Sequence, residues 1–281
     1  MPKKTVNDLV VELPEEERTR IETQRAALRR AGITTESLKG MGHREIARLV
    51  DRVLKDAGVS VLPSLNRDPV LVEQAQRIVA ALHEAGVDVS DFDDLVHRSA
   101  PYPQAIPVLI RFLPENLDRK VKHTIVFALS VKEARGLAAK PLLQEFERLP
   151  MEPEFDGLKW AIGNALTIVA DKTDFDEIAR LIRDKRHGTS RQMMVEALGK
   201  MRDPRAVDIL LPLLKDEDVY GHTIVSLGET RDWRARRHIE PFVDHPYGWI
   251  QSAAKRALRK IDRERERQAV RNQSRPKRGG H

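Results

Sequence analysis

Apolar positions recur along this chain at helical spacing and in one phase. Five segments close alike: VKHTIVFAL at Leu129, LKWAIGNAL at Leu166, RQMMVEAL at Leu198, YGHTIVSL at Leu227 and QSAAKRAL at Leu258. These leucines stand 37, 32, 29 and 31 residues apart, the length of one helix pair with its turns. The residue before each is small: Ala128, Ala165, Ala197, Ser226 and Ala257. Four before each leucine come Ile125, Ile162, Met194, Thr223 and Ala254. Eight before come Val121, Leu158, Ser190, Val219 and Ile250. At about 100° per residue these positions share one side of a helix. The small neighbour of each leucine predicts close approach of the next helix.

A second apolar segment precedes each of these: QAIPVLIRFL, AKPLLQEFERL, FDEIARLIRD, RAVDILLPLL and RRHIEPFVD. Pro107 and Pro141 fall where a first helical turn tolerates proline, whereas Pro212 and Pro241 fall later and predict a kink or a stop. GKMRDPRAV supplies Gly199 as a predicted helix stop, with Asp203 and Pro204 as cap and first turn. A looser copy, SLGETRDWRA, follows about thirty residues on. Neither helix of a pair can bury its apolar stripe alone, so copies are expected to stack.

The stretch VEALGKMRDPRAVDILLPLLKDED resembles HEAT-like repeats of the phycobilisome-lyase type. Ala-Leu-Gly, Asp-Pro-Arg-Ala-Val and the Leu-rich helix match that pattern in order, and the resemblance extends over roughly residues 100–261. The second pair departs from it through an insertion around LPMEPEFDG. Tyr220-Gly221 and the absence of glycine after Leu129 and Leu166 depart as well. The resemblance implies an all-α, curved α-solenoid of about five helix pairs. It marks a fold rather than an activity, and brings bilin lyase subunits and HEAT-fold alkylpurine DNA glycosylases into view as relatives in architecture.

The N-terminal third differs. It repeats LRRAGI, LKDAGV and LHEAGV, in each of which a helix should end at a left-handed glycine. Helices are expected near 15–31, 43–57, 68–85 and 91–98, forming either a helical cap on the solenoid or diverged repeats of it. The expected organisation is an N-terminal helical region over 1–99, repeats over 100–262, and a basic tail over 263–281. That tail, DRERERQAVRNQSRPKRGGH from Asp262, loses the apolar pattern. Its first part can extend the last helix and its end is expected to be disordered.

Composition sharpens this picture in three ways. Aromatics are only 5%, so Leu, Val, Ile and Ala must fill the core, as packed helices allow. There is no cysteine, which excludes disulfides, thiolate catalysis and Cys-ligated zinc and fits the reducing cytoplasm, the expected location. The net charge of +6 is mostly local: seven bases and three acids fall from Asp262 onward. A globally basic body, as in a dedicated nucleic-acid binder, is not present. No apolar run is long enough for a membrane span, so no membrane partner is expected.

No phosphate loop, dinucleotide fold or serine nucleophile elbow is legible, and none of the histidines has HxxxH or HExxH spacing. No catalytic, cofactor or metal site is therefore assigned, and the expected function is non-enzymatic binding of a protein partner on a concave helical surface. The alternatives are nucleic-acid binding through the basic C-terminal end, including a glycosylase-like enzyme using Trp160 and Asp156, and a bilin-lyase-like subunit. Candidate partner-binding residues fall in two groups. Seven residues before each closing leucine stand Lys122, Lys159, Arg191, Tyr220 and Gln251, with His123 and Trp160 one position on. This column flanks the apolar stripe and is either a structural ladder of pairs between repeats or a basic binding strip. The second group is the cluster Arg231, Trp233, Arg234 and Arg237, with Arg256 and Arg259 in the following helix. Asp203 and Asp232 are expected to cap helices.

Overall fold

The computed structural model describes residues 15–34, 49–50, 52–54, 56–58, 68–98 and 100–273. The chain divides into two compact units, residues 1–67 and 68–281. In the first, α1 spans Glu15–Arg30. Gly32 and Gly58 hold the expected left-handed backbone, at φ 71 and 66. Most of the helix expected near 43–57 lies outside the described residues.

The second unit opens with α2 (Pro69–Glu84), capped by the Asp68 carboxylate, which accepts the Val70 N–H at 2.9 Å. Gly86, at φ 77, stops it. A single turn follows, α3 (Asp94–His97). Leu71, Ile78 and Leu82 on α2 are buried, and both helices pack on the first repeat pair. The division expected near residue 100 therefore falls at 67/68, because α2 spends its apolar stripe on the repeats.

Five helix pairs then follow: α4 (Ala105–Phe112) with α5 (Arg119–Leu129), α6 (Ala139–Arg148) with α7 (Asp156–Val169), and α8 (Phe175–Leu181) with α9 (Gln192–Lys200). The last two are α10 (Ala206–Leu210) with α11 (Tyr220–Thr230) and α12 (Arg236–Ile239) with α13 (Gly248–Gln273). No strand occurs among the described residues, and no described helix is long and apolar enough to cross a membrane. Successive second helices pack on one another in the order α5, α7, α9, α11, α13 and form a continuous layer. The architecture is an all-α helical solenoid.

The phase read from the sequence holds. Every residue four and eight positions before a closing leucine is buried, as are Leu129, Leu166, Leu198 and Leu227. Leu258 is only half-buried, and no further repeat covers α13 among the described residues. Pro212 and Pro241 act as expected: α10 and α12 give way to 3-10 turns at Leu211–Lys215 and Glu240–Asp244, because proline removes an N–H from the helical ladder.

Gly199 is a correction. It lies inside α9 and does not stop it. A methyl group there would meet the Ser226 carbonyl oxygen at 2.5 Å, and one on Gly228 would meet Ala257 at 2.7 Å. These glycines bring successive second helices together against the small residues 226 and 257. The helix ends instead at Arg202, in left-handed conformation at φ 53, and α11 ends likewise at Arg231, at φ 55.

The first part of the tail extends the last helix, as its sequence allows: α13 continues to Gln273. Glu264 bonds Arg231 at 3.4 Å and the Arg265 guanidinium lies 3.6 Å over the Trp233 ring. Arg231 and Trp233, at the turn between the fourth and fifth pairs, meet the extension, which composition alone did not reveal. Residues 274–281 lie outside the described residues.

Candidate binding site

The column seven residues before each closing leucine is internal in its first three members. Lys122 is 7% exposed, Lys159 1% and Arg191 0%. Lys122 donates to Glu145 on α6, in the adjoining repeat, and Glu145 also accepts from Arg148 at 2.8 Å. Arg191 reaches Asp216 through two nitrogens at 2.9 and 3.3 Å and Asp218 at 3.3 Å. It also donates to the Ile182 and Gly188 carbonyls. Burial raises the Asp216 pKa, but the Arg191 bonds outweigh it and leave the carboxyl below its usual range. The partners lie 23 to 27 residues away in sequence, as a clamp between neighbouring repeats requires. Lys122 and Arg191 are thus not a solvated basic strip.

Lys159 is the exception. Its amine has no carboxylate in hydrogen-bond reach; it approaches the Met151 sulfur at 3.5 Å and the Phe146 ring at 5.3 Å. Burial lowers its pKa, opposed by Asp156, Asp184 and Glu152. His187, tilted against the Phe146 ring at 4.7 Å, is buried beside it with Nδ1 unpartnered. Lys159 is closed to a partner, so this column supplies no binding strip in repeats one to three. Of its flankers, His123 is half-buried against Phe127 at 4.9 Å, while Trp160 is 41% exposed. Asp156, the acid considered with Trp160, already accepts from the Ser190 hydroxyl at 3.1 Å.

The repeated Asp-X-Arg turn also has an internal purpose. Asp203 accepts the Arg205 N–H at 2.9 Å and Asp232 the Arg234 N–H at 2.8 Å, so both cap as expected. Each arginine then folds back onto its own aspartate and reaches one repeat earlier: Arg205 to Asp176 at 2.7 Å, Arg234 to Asp208 at 2.9 Å. Arg234 is therefore a clamp on the preceding repeat. Arg237 meets only its neighbour His238, at 3.1 Å. Arg256 and Arg259 are exposed on α13 and have no ion pair among the described residues.

Two surfaces remain where side chains face solvent with capacity to spare. Both lie in the last two repeats, at opposite ends of α11, about 15 Å apart by the rise of eleven residues. At its N-terminal end Tyr220 lies 6.2 Å from Phe242 and 5.8 Å from His245. Tyr247 lies 5.4 Å from His245, and His222 lies 5.8 Å from Trp249. Gly221 makes room for the Trp249 indole, since a methyl group there would meet its ring at 2.0 Å. At the C-terminal end a cleft of about 430 Å³ opens between the Arg202 and Arg231 turns and α13, with Trp233 and Arg265 in its wall.

The aromatic group went unread in the sequence, although a signal was present. Five of the chain's thirteen aromatic residues fall between Tyr220 and Trp249, two of them in HPYGW. Core and surface aromatics also separate by type. Phe92, Phe146 and Phe175 are fully buried, while Trp160, Trp233 and Trp249 are 41, 44 and 52% exposed.

Comparison with known families agrees with this architecture. The model described as PBS lyase HEAT-like repeat matches residues 190–216, which covers α9, the Arg202 turn and α10. Residues 190–216 thus carry a HEAT-like repeat within the helical solenoid. No curated protein matches it.

Proposed function

We propose that this chain is a non-enzymatic binding scaffold that engages a protein partner through its last two repeats, with the Tyr220–Trp249 aromatic group as the anchor. The observation that carries this reading is the placement of tryptophan. Burial would satisfy these side chains best, yet all three stand on the surface, and one of them shares a patch with two tyrosines and a phenylalanine. Tryptophan and tyrosine supply most binding energy at protein interfaces. Of the basic column that competed for this role, Lys122 and Arg191 are taken up by pairing within the solenoid and Lys159 is buried. The aspartates of the repeat turns, Asp203 and Asp232, are committed to capping.

The test is affinity capture from the source cell, with and without nuclease, using the parent chain and the double variant Tyr247→Ala, Trp249→Ala. A protein retained by the parent, insensitive to nuclease and lost in the variant supports the reading, provided the variant melts close to the parent. Retention that persists in the variant, or that vanishes with nuclease, overturns it.

A further inference from the structure

We infer that the cleft at the C-terminal end of α11 is a receptor for one phosphate group carried on a peptide segment, a phosphoserine or phosphothreonine of the bound partner. This inference rests on the protein-binding reading above and names the chemistry of a second contact at the other end of the same helix.

Three guanidinium groups carry it. Arg202 and Arg231 are the non-glycine residues with left-handed backbone among those described, at φ 53 and 55, and they occupy the same position in successive repeats. Glycine or asparagine usually closes a helix in this conformation, and a side chain there strains the backbone. The strain places both arginine side chains on the wall of one cleft. Arg202 is exposed and its side chain has no partner among the described residues, so nothing internal accounts for its identity. Arg231 spends one nitrogen on Glu264 at 3.4 Å, while its Nε is buried and unpartnered. The Arg265 guanidinium carbon lies over the Trp233 ring, 3.6 Å from its centroid. Stacking of this kind fixes the guanidinium plane and leaves its N–H edges unspent.

The acids in the wall do not cancel these charges. Asp203 and Asp232 are each bonded by the outward arginine of their own turn, Arg205 and Arg234. Glu264 is shared between Arg231 and Arg267. Arg202 and Arg265 are left with uncompensated charge facing a cavity of about 430 Å³. That is room for a tetrahedral dianion and the side chain bearing it, and arginine forks match phosphate oxygens in pairs.

A nucleic acid fits less well. Trp233 is covered by Arg265 at 3.6 Å and approached by Arg236 at 5.3 Å, so a base stacking on its ring would have to displace an arginine. The basic column of the first three repeats is buried, so no continuous basic track extends along the solenoid.

The experiment uses the full chain and a degenerate peptide library built around a fixed phosphoserine, with its unphosphorylated counterpart, inorganic phosphate and a single-stranded oligonucleotide as comparison probes. Fluorescence anisotropy should show the phosphorylated pool bound at least about tenfold more tightly than the unphosphorylated one, the worth of one or two charge-assisted hydrogen bonds. Inorganic phosphate should compete. Arg202→Gly should lower that affinity about tenfold while the melting temperature holds or rises, because glycine relieves the left-handed strain. Arg265→Gln should lower it comparably.

Equal binding of the two pools overturns the inference, as does phosphopeptide binding unchanged in both Arg202→Gly and Arg265→Gln. Oligonucleotide binding that depends on Arg202, without preference for phosphopeptide, overturns it in favour of nucleic acid. The variant Tyr247→Ala, Trp249→Ala is measured in parallel. If it alone abolishes partner capture while the pools bind equally, the phosphate site fails and the protein-binding reading stands.

Discussion

The first three repeats and the last two use the same helical position in opposite ways. At that position Lys122, Lys159 and Arg191 are buried cations, two of them tied to carboxylates of the adjoining repeat. In the last two repeats it holds Tyr220 and Gln251, both only half-buried, and the unspent cations and exposed aromatics lie around the ends of α11. The difference teaches that charge in a repeat array has to be located before it is interpreted. A buried cation between repeats sets their register and is costly to leave unpaired. A surface cation costs little and is available to a partner. The same formal charge therefore reads as architecture in one half and as recognition in the other.

The comparison breaks most visibly at Arg191. Arg191→Ala should destabilise by about 3–5 kcal/mol, because it leaves Asp216 buried without its main partner. Thermal melting checks this, and a parent-like melt would remove the register role. Lys122→Ala should cost about 1–3 kcal/mol by leaving the buried Glu145 with Arg148 as its remaining ion-pair partner. The pair Lys122→Met, Glu145→Leu should recover most of that loss, since a buried ion pair is often replaceable by apolar groups of similar volume. Failure of the double change to recover would mean that the pair does more than fill and neutralise its site.

Truncation after Asp262 sharpens the other side of the comparison. Losing the Arg265–Trp233 stack and the Glu264–Arg231 bond should cost about 1 kcal/mol, seen as a small drop in melting temperature. A parent-like melt would show that the helical extension only rests there.

Acid should act on both regions. Burial lowers the pKa of His123, His187 and His222 from the usual 6.5. For His187 the neighbouring Lys159 adds to this and Asp184 opposes it. The folded state then binds fewer protons than the unfolded one, so stability should be full above about pH 6.5 and fall as pH drops through that value. His187→Phe, which keeps a ring against Phe146, should flatten the profile; an unchanged slope would assign the effect to the other two. The smallest effect is expected for Arg256→Ala and Arg259→Ala, each within about 0.5 kcal/mol by melting.

Much of the fold was legible because periodicity reports burial directly. The positions four and eight before each closing leucine, the capping aspartates and the two late prolines all behave as their local chemistry predicts. Gly199 shows where such reading stops. Ala-Leu-Gly looks like a helix stop, yet the reason for glycine is Ser226, 27 positions away in sequence and in contact in space. The contact that the helical extension makes was not legible for a similar reason, since nothing local to Arg265 announces Trp233. Of the candidate site residues, Trp233 and Arg231 remain on an open surface, whereas Lys122, Lys159 and Arg191 do not.

The sequence by itself determined the helix pairs, their phase and their number, because each helix must hide a stripe spaced at 3.6 residues and only stacking hides it. It could not decide whether a lysine flanking that stripe ends in water or against a carboxylate of the next repeat. That depends on a partner 23 or more residues away and on how closely two helices approach. Tertiary structure decided it: glycine and small residues let the second helices close up, and closing up buried three cations of the column while leaving the last repeats' aromatics and arginines facing out.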